Sequence, residues 1–403
     1  MIDQIQQVDL TDPETFTGAD LTGYWNQLRR QAPVFWHPGR GSRPGFWVVS
    51  RMAELMSVYR DPENFTSQHG NVLATLLDGR EPGSGKMCAV TDGRRHRDIR
   101  NLLLKAFSPR AMYTLAEQVR RNTRHLVSAA VLKGECDFAT EVSERIPMAT
   151  ISSLLGVPGS DHEFLLSRSR SALSSDVAGQ SDEDARSARS DILLYFADLM
   201  EQRRGNESDD VISVLTNGLV GGEHLAADEV VLNCYSLILG GDETSRLTMN
   251  DVVFMLAGER EQWLALRDGS VSTASACEEA LRWATPTMHF GRTATSPVVL
   301  AGQQIMPGDV VTLWHSSANR DELCFTEPHR FSLSRKPNKH VTFGYGPHYC
   351  IGAALARLEI VVLLDTLRGF AGHIEVTGEV SYFHSNFLRG ISHLPVKFRP
   401  VKS

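Results

Sequence analysis

The stretch Phe343-Gly344-Tyr345-Gly346-Pro347-His348-Tyr349-Cys350-Ile351-Gly352 runs directly into the helical phrase Ala353-Ala354-Leu355-Ala356-Arg357-Leu358-Glu359. Its glycines and proline shape a tight loop whose backbone N–H groups can turn inward, and the loop delivers one cysteine to a helix N-terminus. Both features favour a thiolate, which can serve as a nucleophile or as a metal ligand. The competing reading is an inert buried cysteine. The remaining cysteines, Cys88, Cys136, Cys234, Cys277 and Cys324, lie far apart with no Cys-x-x-Cys pattern. That argues against a disulfide framework and against a zinc ribbon.

Upstream of the loop, apolar residues recur at three- and four-residue spacing from about Ala53 to Arg282, a helical pattern punctuated by Gly and Pro. The longest segment, about Ala226 to Gly258, predicts a helix ~45 Å long that crosses the whole domain. In its middle, Gly240-Gly241-Asp242-Glu243-Thr244-Ser245 carries two glycines, each costing about 1 kcal/mol relative to alanine. Either a neighbouring helix packs closely there or a flat ligand presses on the backbone. Pro33-Val34-Phe35-Trp36 and Phe46-Trp47-Val48-Val49 read as a hairpin around Gly39-Arg40-Gly41-Ser42. Val298-Val299-Leu300 and Val310-Val311-Thr312-Leu313-Trp314 read as a second hairpin around Pro307-Gly308-Asp309. The expected fold is mainly α with a minor β part, the β-rich portions falling near residues 30–50 and 290–320. With no Pro/Ser-rich linker and no repeat, residues 1–403 read as a single domain.

Composition sets the outer bounds. At 42% hydrophobic and 22% charged residues the chain is ordinary globular material, and its net charge of -7 provides no basic stripe for nucleic acid. A small-molecule partner is expected. The N-terminus has neither a positive nor an apolar leader region, and no window reaches the ~20 apolar residues of a membrane span. The expected localisation is cytoplasmic, with no membrane partner.

The loop matches, at every fixed position, the haem-binding signature of the cytochrome P450 family, Phe-x-x-Gly-x-x-x-Cys-x-Gly. Other phrases agree in order. They are His96-x-x-x-Arg100 followed by Ala106-Phe107-Ser108-Pro109-Arg110, the Gly240–Ser245 run, Glu279-x-x-Arg282, and Pro328-His329-Arg330-Phe331. The chain therefore resembles that family over essentially its whole length, most closely its short soluble bacterial members. The resemblance implies the family's triangular α-rich fold with a small β-sheet region, and haem b as cofactor with Cys350 as iron ligand, a thiolate that pushes electron density onto the metal. It implies that Phe343 packs near the sulfur and that Gly346 and Gly352 let the loop approach the macrocycle. Gly240 and Gly241 would lie against the ligand face. His96, Arg100, Arg292 and His348 are expected to hold the two propionates, whose burial needs positive partners. Glu279, Arg282 and Arg330 are expected to form a structural ion-pair network.

For chemistry, the resemblance implies oxidation of an organic substrate with dioxygen. Thr244 would supply the hydroxyl and Glu243 the acid of a proton relay, with Asp242 as a second carboxylate beside them. Electrons would come ultimately from NAD(P)H through a separate ferredoxin and ferredoxin reductase, since no flavin or iron–sulfur motif is present. By position, the substrate pocket is expected to use Asn71, Val72, Leu73, Leu237, Met288, His289, Phe290, Phe387 and Leu388. A lining of apolar bulk with few polar anchors suits a medium-sized biosynthetic intermediate, free or tethered to a carrier protein. Hydroxylation, epoxidation, and oxidative coupling or ring closure all remain open. A peroxide-driven peroxygenase and a non-catalytic haem-thiolate sensor are the alternatives, and the sensor has no use for Glu243 and Thr244.

Overall fold

The computed structural model describes residues 8–17, 20–41, 43–79, 81–173, 182–206 and 208–401. Ser42 of the expected first turn and residues 1–7, on which the absence of a leader was read, lie outside them.

The elements that position the site are the helices α1 (Met52–Arg60), α2 (Gly93–Lys105), α3 (Arg145–Leu155), α4 (His162–Leu173), α5 (Ala227–Gly258), α6 (Thr273–Ala284) and α7 (Ala353–Phe370). The long helix α5 forms where the periodicity places it. Its start is fixed by Glu229, which accepts the Ala226 amide at 2.8 Å and sits where a carboxylate complements the helix dipole. Helix α6 begins at Ser272, whose hydroxyl accepts the Ser275 amide, and ends at Thr285 with φ 41, one residue before Pro286. Apolar residues in the first half of α5, including Val230, Cys234 and Ile238, pack into one core cluster. Those in its second half, including Met249, Val253 and Leu256, pack into another with α6 and α7. The polar run from Asp242 to Arg246 lies between the two cores.

The main sheet has five strands: β1 (Val34–His37), β2 (Phe46–Val49), β3 (Phe65–Thr66), β4 (His289–Ala294) and β5 (Val310–Trp314), in the order β1-β2-β5-β4-β3. The first hairpin forms as expected, β1 antiparallel to β2 with Trp36 opposite Trp47 and their rings 5.1 Å apart edge to face. The second pairing differs. Val298–Leu300 pairs with Gln303–Ile305, while β5 lies antiparallel to β4 and parallel to β2. The reason is the turn: Ala301 and Gly302 both take positive φ, 47 and 79, and such a two-residue turn closes on the nearest run, here the polar Gln303-Gln304 that patterning assigns to a loop. The Pro307-Gly308-Asp309 turn does form, with Asp309 accepting the Met306 amide at 2.9 Å, but it leads β5 to the buried strand β4. Among the described residues no helix is long and apolar enough to cross a membrane.

Candidate active site

The cysteine loop is built by its own backbone. The Cys350 amide donates to the Phe343 carbonyl at 2.9 Å and the Gly344 amide to Val341 at 2.8 Å, with Gly344 and Gly346 at φ 70 and 72. Gly346 is required by a neighbour: a Cβ there would stand 2.6 Å from the Tyr59 carbonyl of α1. Gly352 is different, since a Cβ would meet nothing nearer than the Cys350 sulfur at 3.9 Å. Protein packing does not demand that glycine; close approach of a bound group would. The Phe343 ring is covered by the Arg357 guanidinium at 4.6 Å and lies 6.1 Å from the Tyr349 ring.

Cys350 is enclosed by protein on most sides while its side chain stays accessible, as a ligand atom presented to a bound group must be. Burial pushes its thiol above the usual value, although the Gly352 amide and the charges of Arg100 and Arg357 pull the other way. The loop amide does pull toward the thiolate, as expected, but burial outweighs it. A metal cation is what would deprotonate this sulfur.

The expected propionate donors cluster beside the loop. The His96 ring packs tilted against His348 with centroids 4.2 Å apart, and its buried Nε2 has no hydrogen-bond partner among the described residues. Burial and the neighbouring positive groups hold its pKa down at about 4. Arg100 donates to the Tyr349 carbonyl at 2.6 Å. Arg292 is buried, packs over the Tyr59 ring at 5.1 Å and donates to the Gly291 carbonyl at 2.7 Å. No carboxylate among the described residues pairs with it directly, and burial disfavours its charge. A buried guanidinium in that state calls for an anion. His348 is already engaged, its Nε2 2.8 Å from Asp92 Oδ1. Burial of Asp92 is outweighed by bonds from His348, Thr66 and the Ser67 amide, which hold its carboxyl far below the usual range. The free imidazole edge of His96, the unpaired Arg292 and the presented thiol together fit a haem with its propionates.

On α5 the two glycines separate. Gly240 faces open space, whereas a Cβ on Gly241 would meet the Ile151 side chain of α3 at 2.9 Å. There is room for a ligand face at Gly240, whereas helix packing accounts for Gly241. The Thr244 hydroxyl donates to the Gly240 carbonyl at 2.8 Å, leaving its lone pairs free on the same face. Glu243 is buried and ion-paired with Arg246, which reaches Glu144 at 3.5 Å; Glu144 in turn holds Arg170 of α4. Asp242 is also buried, with neither carboxyl oxygen partnered among the described residues. Burial, then the nearby charge of Glu243, pushes its pKa well above the usual range. Glu359 of α7 is pushed up to about 7 by burial, against bonds from Ser245 and Thr150.

The ion-pair network needs one correction. Glu279 accepts from Arg282 at 2.8 Å through both Nε and Nη2, from the Ser332 amide at 2.9 Å and from Asn338 at 3.0 Å. The second arginine is Arg335, at 3.0 Å. Arg330 instead faces solvent, 3.3 Å from Glu327. Its backbone carbonyl joins the network, accepting from Arg335 at 2.7 Å. The Pro-x-Arg-Phe segment thus contributes main chain, because the chain turns between Phe331 and Asn338 and brings the next arginine inward.

Of the residues expected at the substrate pocket, Asn71, Val72, Leu237, Phe290 and Phe387 are half-buried. Leu73, Met288, His289 and Leu388 are packed in the interior. His289 is the clearest departure. Strand alternation turns it away from Phe290, so that it packs tilted against Trp314 at 4.4 Å and faces the Asn386 carbonyl at 3.1 Å. Phe290 and Phe387 meet edge to face at 5.7 Å.

Comparison with known proteins follows the same lines. Residues 272–397 match the sequence profile of the family described as Cytochrome P450. The chain is 43% identical over 394 residues to the cytochrome P450 NovI of Streptomyces niveus, across 98% of this chain and 97% of that protein. It is 33% identical over 389 residues to a methyl-branched lipid omega-hydroxylase of Mycobacterium tuberculosis, across 93% and 90%. The crystal structure of P450 OxyD, a protein involved in the biosynthesis of vancomycin-type antibiotics, superposes with a TM-score of 0.89 at 34% identity over 98% of this chain and 100% of that one. Likeness along the whole length, joined to a presented thiol, a buried arginine beside it and an open turn of the central helix, places the chain in the cytochrome P450 family as a monooxygenase of that class.

Proposed function

We propose that the protein works as one domain in bacterial secondary metabolism, oxidising a medium-sized organic substrate, free or carried on a protein, with electrons passed from NAD(P)H through a ferredoxin reductase and a ferredoxin. Haem, when bound through Cys350, supplies the dioxygen-activating chemistry. The chain's own residues bind and orient. Arg292, Arg100 and His96 offer the cationic and hydrogen-bonding edge for the propionates, and Phe290, Phe387 and Leu237 offer apolar surface to the substrate. The relatedness to OxyD supports an intermediate of natural-product assembly as the substrate class.

The observation that carries the reading is the Thr244 hydroxyl bonded to the Gly240 carbonyl on the open turn of α5. A hydroxyl whose proton rests on a carbonyl turns its lone pairs outward, so it can accept a hydrogen bond from a group on the open face and, by rotating off the carbonyl, pass a proton to that group while taking one from behind. Glu243 is the acid behind it, held in place by Arg246. The test is reconstitution of the purified holoprotein with a surrogate ferredoxin, its reductase and NADPH, against a library of amino-acid-derived and polyketide intermediates, each offered free and as a carrier-protein thioester. Product dependent on the electron-transfer proteins supports the proposal. Equal product with hydrogen peroxide alone identifies a peroxygenase, and electron uptake without product from any library member removes the proposed substrate class.

A further inference from the structure

We infer that Asn233 and Asn71 fasten residues 83–90 as a fixed wall between the central helix and the main sheet, so that this loop bounds the ligand site without swinging. The loop first folds on itself. The Lys86 and Met87 amides donate to the Gly83 carbonyl at 3.0 and 2.9 Å, and the Gly85 amide to Val90 at 3.1 Å. The Thr91 hydroxyl closes on the Met87 carbonyl at 2.8 Å.

A buried side chain of α5 then grips it. Asn233 is 1% exposed; its Oδ1 accepts the Cys88 amide at 2.9 Å, and its Nδ2 donates to the Lys86 carbonyl at 2.9 Å and to the Glu229 carbonyl at 2.7 Å. An acceptor and two donors on one planar group are what an asparagine provides; aspartate lacks the donors and leucine lacks both. On the other side, Asn71 Nδ2 reaches the Ala89 carbonyl at 3.4 Å, while the Asn71 carbonyl accepts the Gly291 amide of β4 at 2.7 Å. Ion pairs from Lys86 to Asp228 and from Arg95 to Glu229 close the rim.

The attachments flank the site. Asn233 lies about two helical turns, ~10 Å, ahead of Gly240, and Gly291 adjoins Arg292. Asparagine is a poor helix former, so its place inside α5 is offset by what it holds. Without it, the Cys88 amide and the Lys86 carbonyl lose their partner and the loop opens to water.

The measurement is hydrogen exchange in the holoprotein, with the association rate of 4-phenylimidazole followed by the haem optical band. In the wild type, amides 86–90 should exchange as slowly as those of the first half of α5. Asn233→Ala should speed them by about tenfold or more, the equivalent of one buried hydrogen bond, while α6 and α7 are unchanged. The association rate should rise by a similar factor. Leu266→Ala, a buried truncation in the other core cluster, should do neither. Loop amides that exchange like exposed turns in the wild type overturn the inference, even if Asn233→Ala fails to fold. Faster exchange with an unchanged association rate overturns the wall. The ligand arm rests on the haem-site reading, and the exchange arm stands without it: a holoprotein with no thiolate spectrum would sink the former only.

Discussion

The Nε of Arg335 lies 3.0 Å from Oε2 of Glu279, with both side chains buried, while Arg330 stands in solvent beside Glu327. Removing one partner of a buried pair leaves the other uncompensated, at a cost of about 3–5 kcal/mol. Arg335→Ala should therefore lower the urea midpoint of the holoprotein sharply, whereas Arg330→Ala should stay within about 0.5 kcal/mol of wild type. The reverse order would show that the surface arginine carries the network after all.

Cys350→Ser should abolish the carbon monoxide difference spectrum diagnostic of thiolate-bound haem. The sulfur is the axial donor that loop and helix present, and a serine hydroxyl at the same place does not donate as a thiolate does. An unaltered spectrum in the variant would transfer ligation to another residue.

Thr244→Ala should bind haem and substrate and still consume NAD(P)H, yet form less product, with hydrogen peroxide appearing in its place. Loss of a positioned proton donor costs roughly 10²–10⁴-fold in the step it serves. The measurement is product per NAD(P)H oxidised, with peroxide assayed alongside. Unchanged coupling would assign the protons to ordered water or to a substrate hydroxyl.

Stability should depend on pH through Glu359, whose pKa is pushed up to about 7 from 4.5 by burial. With the folded value above the unfolded one, the folded state holds the proton more tightly. The contribution is therefore fully present below pH 4.5 and is lost as pH rises to about 7, by as much as about 3 kcal/mol. Glu359→Gln keeps a neutral group at the site, so its Tm relative to wild type should climb between pH 5 and 8. Parallel Tm profiles would place the carboxylate in contact with a compensating charge.

What the sequence disclosed and what it withheld follow from range. The cysteine loop, the first hairpin and the span of α5 are local, set by glycines, turns and apolar period within a few tens of residues. Arg335 meets Glu279 across 56 residues, and Arg246 meets Glu144 across 102, distances at which no spacing rule operates. The available clue to Arg335 was a second arginine four residues past Phe331, ahead of Pro337. The strand Gln303–Ile305 was hidden by its polar residues, since its partner was chosen by a turn. The burial that opposes the loop amide at Cys350 is not visible in a motif.

The contrast between Gly240 and Gly241 bears on how this enzyme can be reshaped. A methyl group at 240 meets open space, so on the proposed reading Gly240→Ala would narrow the reaction chamber without touching the surrounding protein. The same methyl at 241 presses on the Ile151 side chain at 2.9 Å, so that Ile151 must shift to admit it. Of two adjacent, chemically identical positions, one has room for a side chain and the other is already filled by a neighbouring helix, so the same substitution reads the chamber at one and the packing of α5 on α3 at the other.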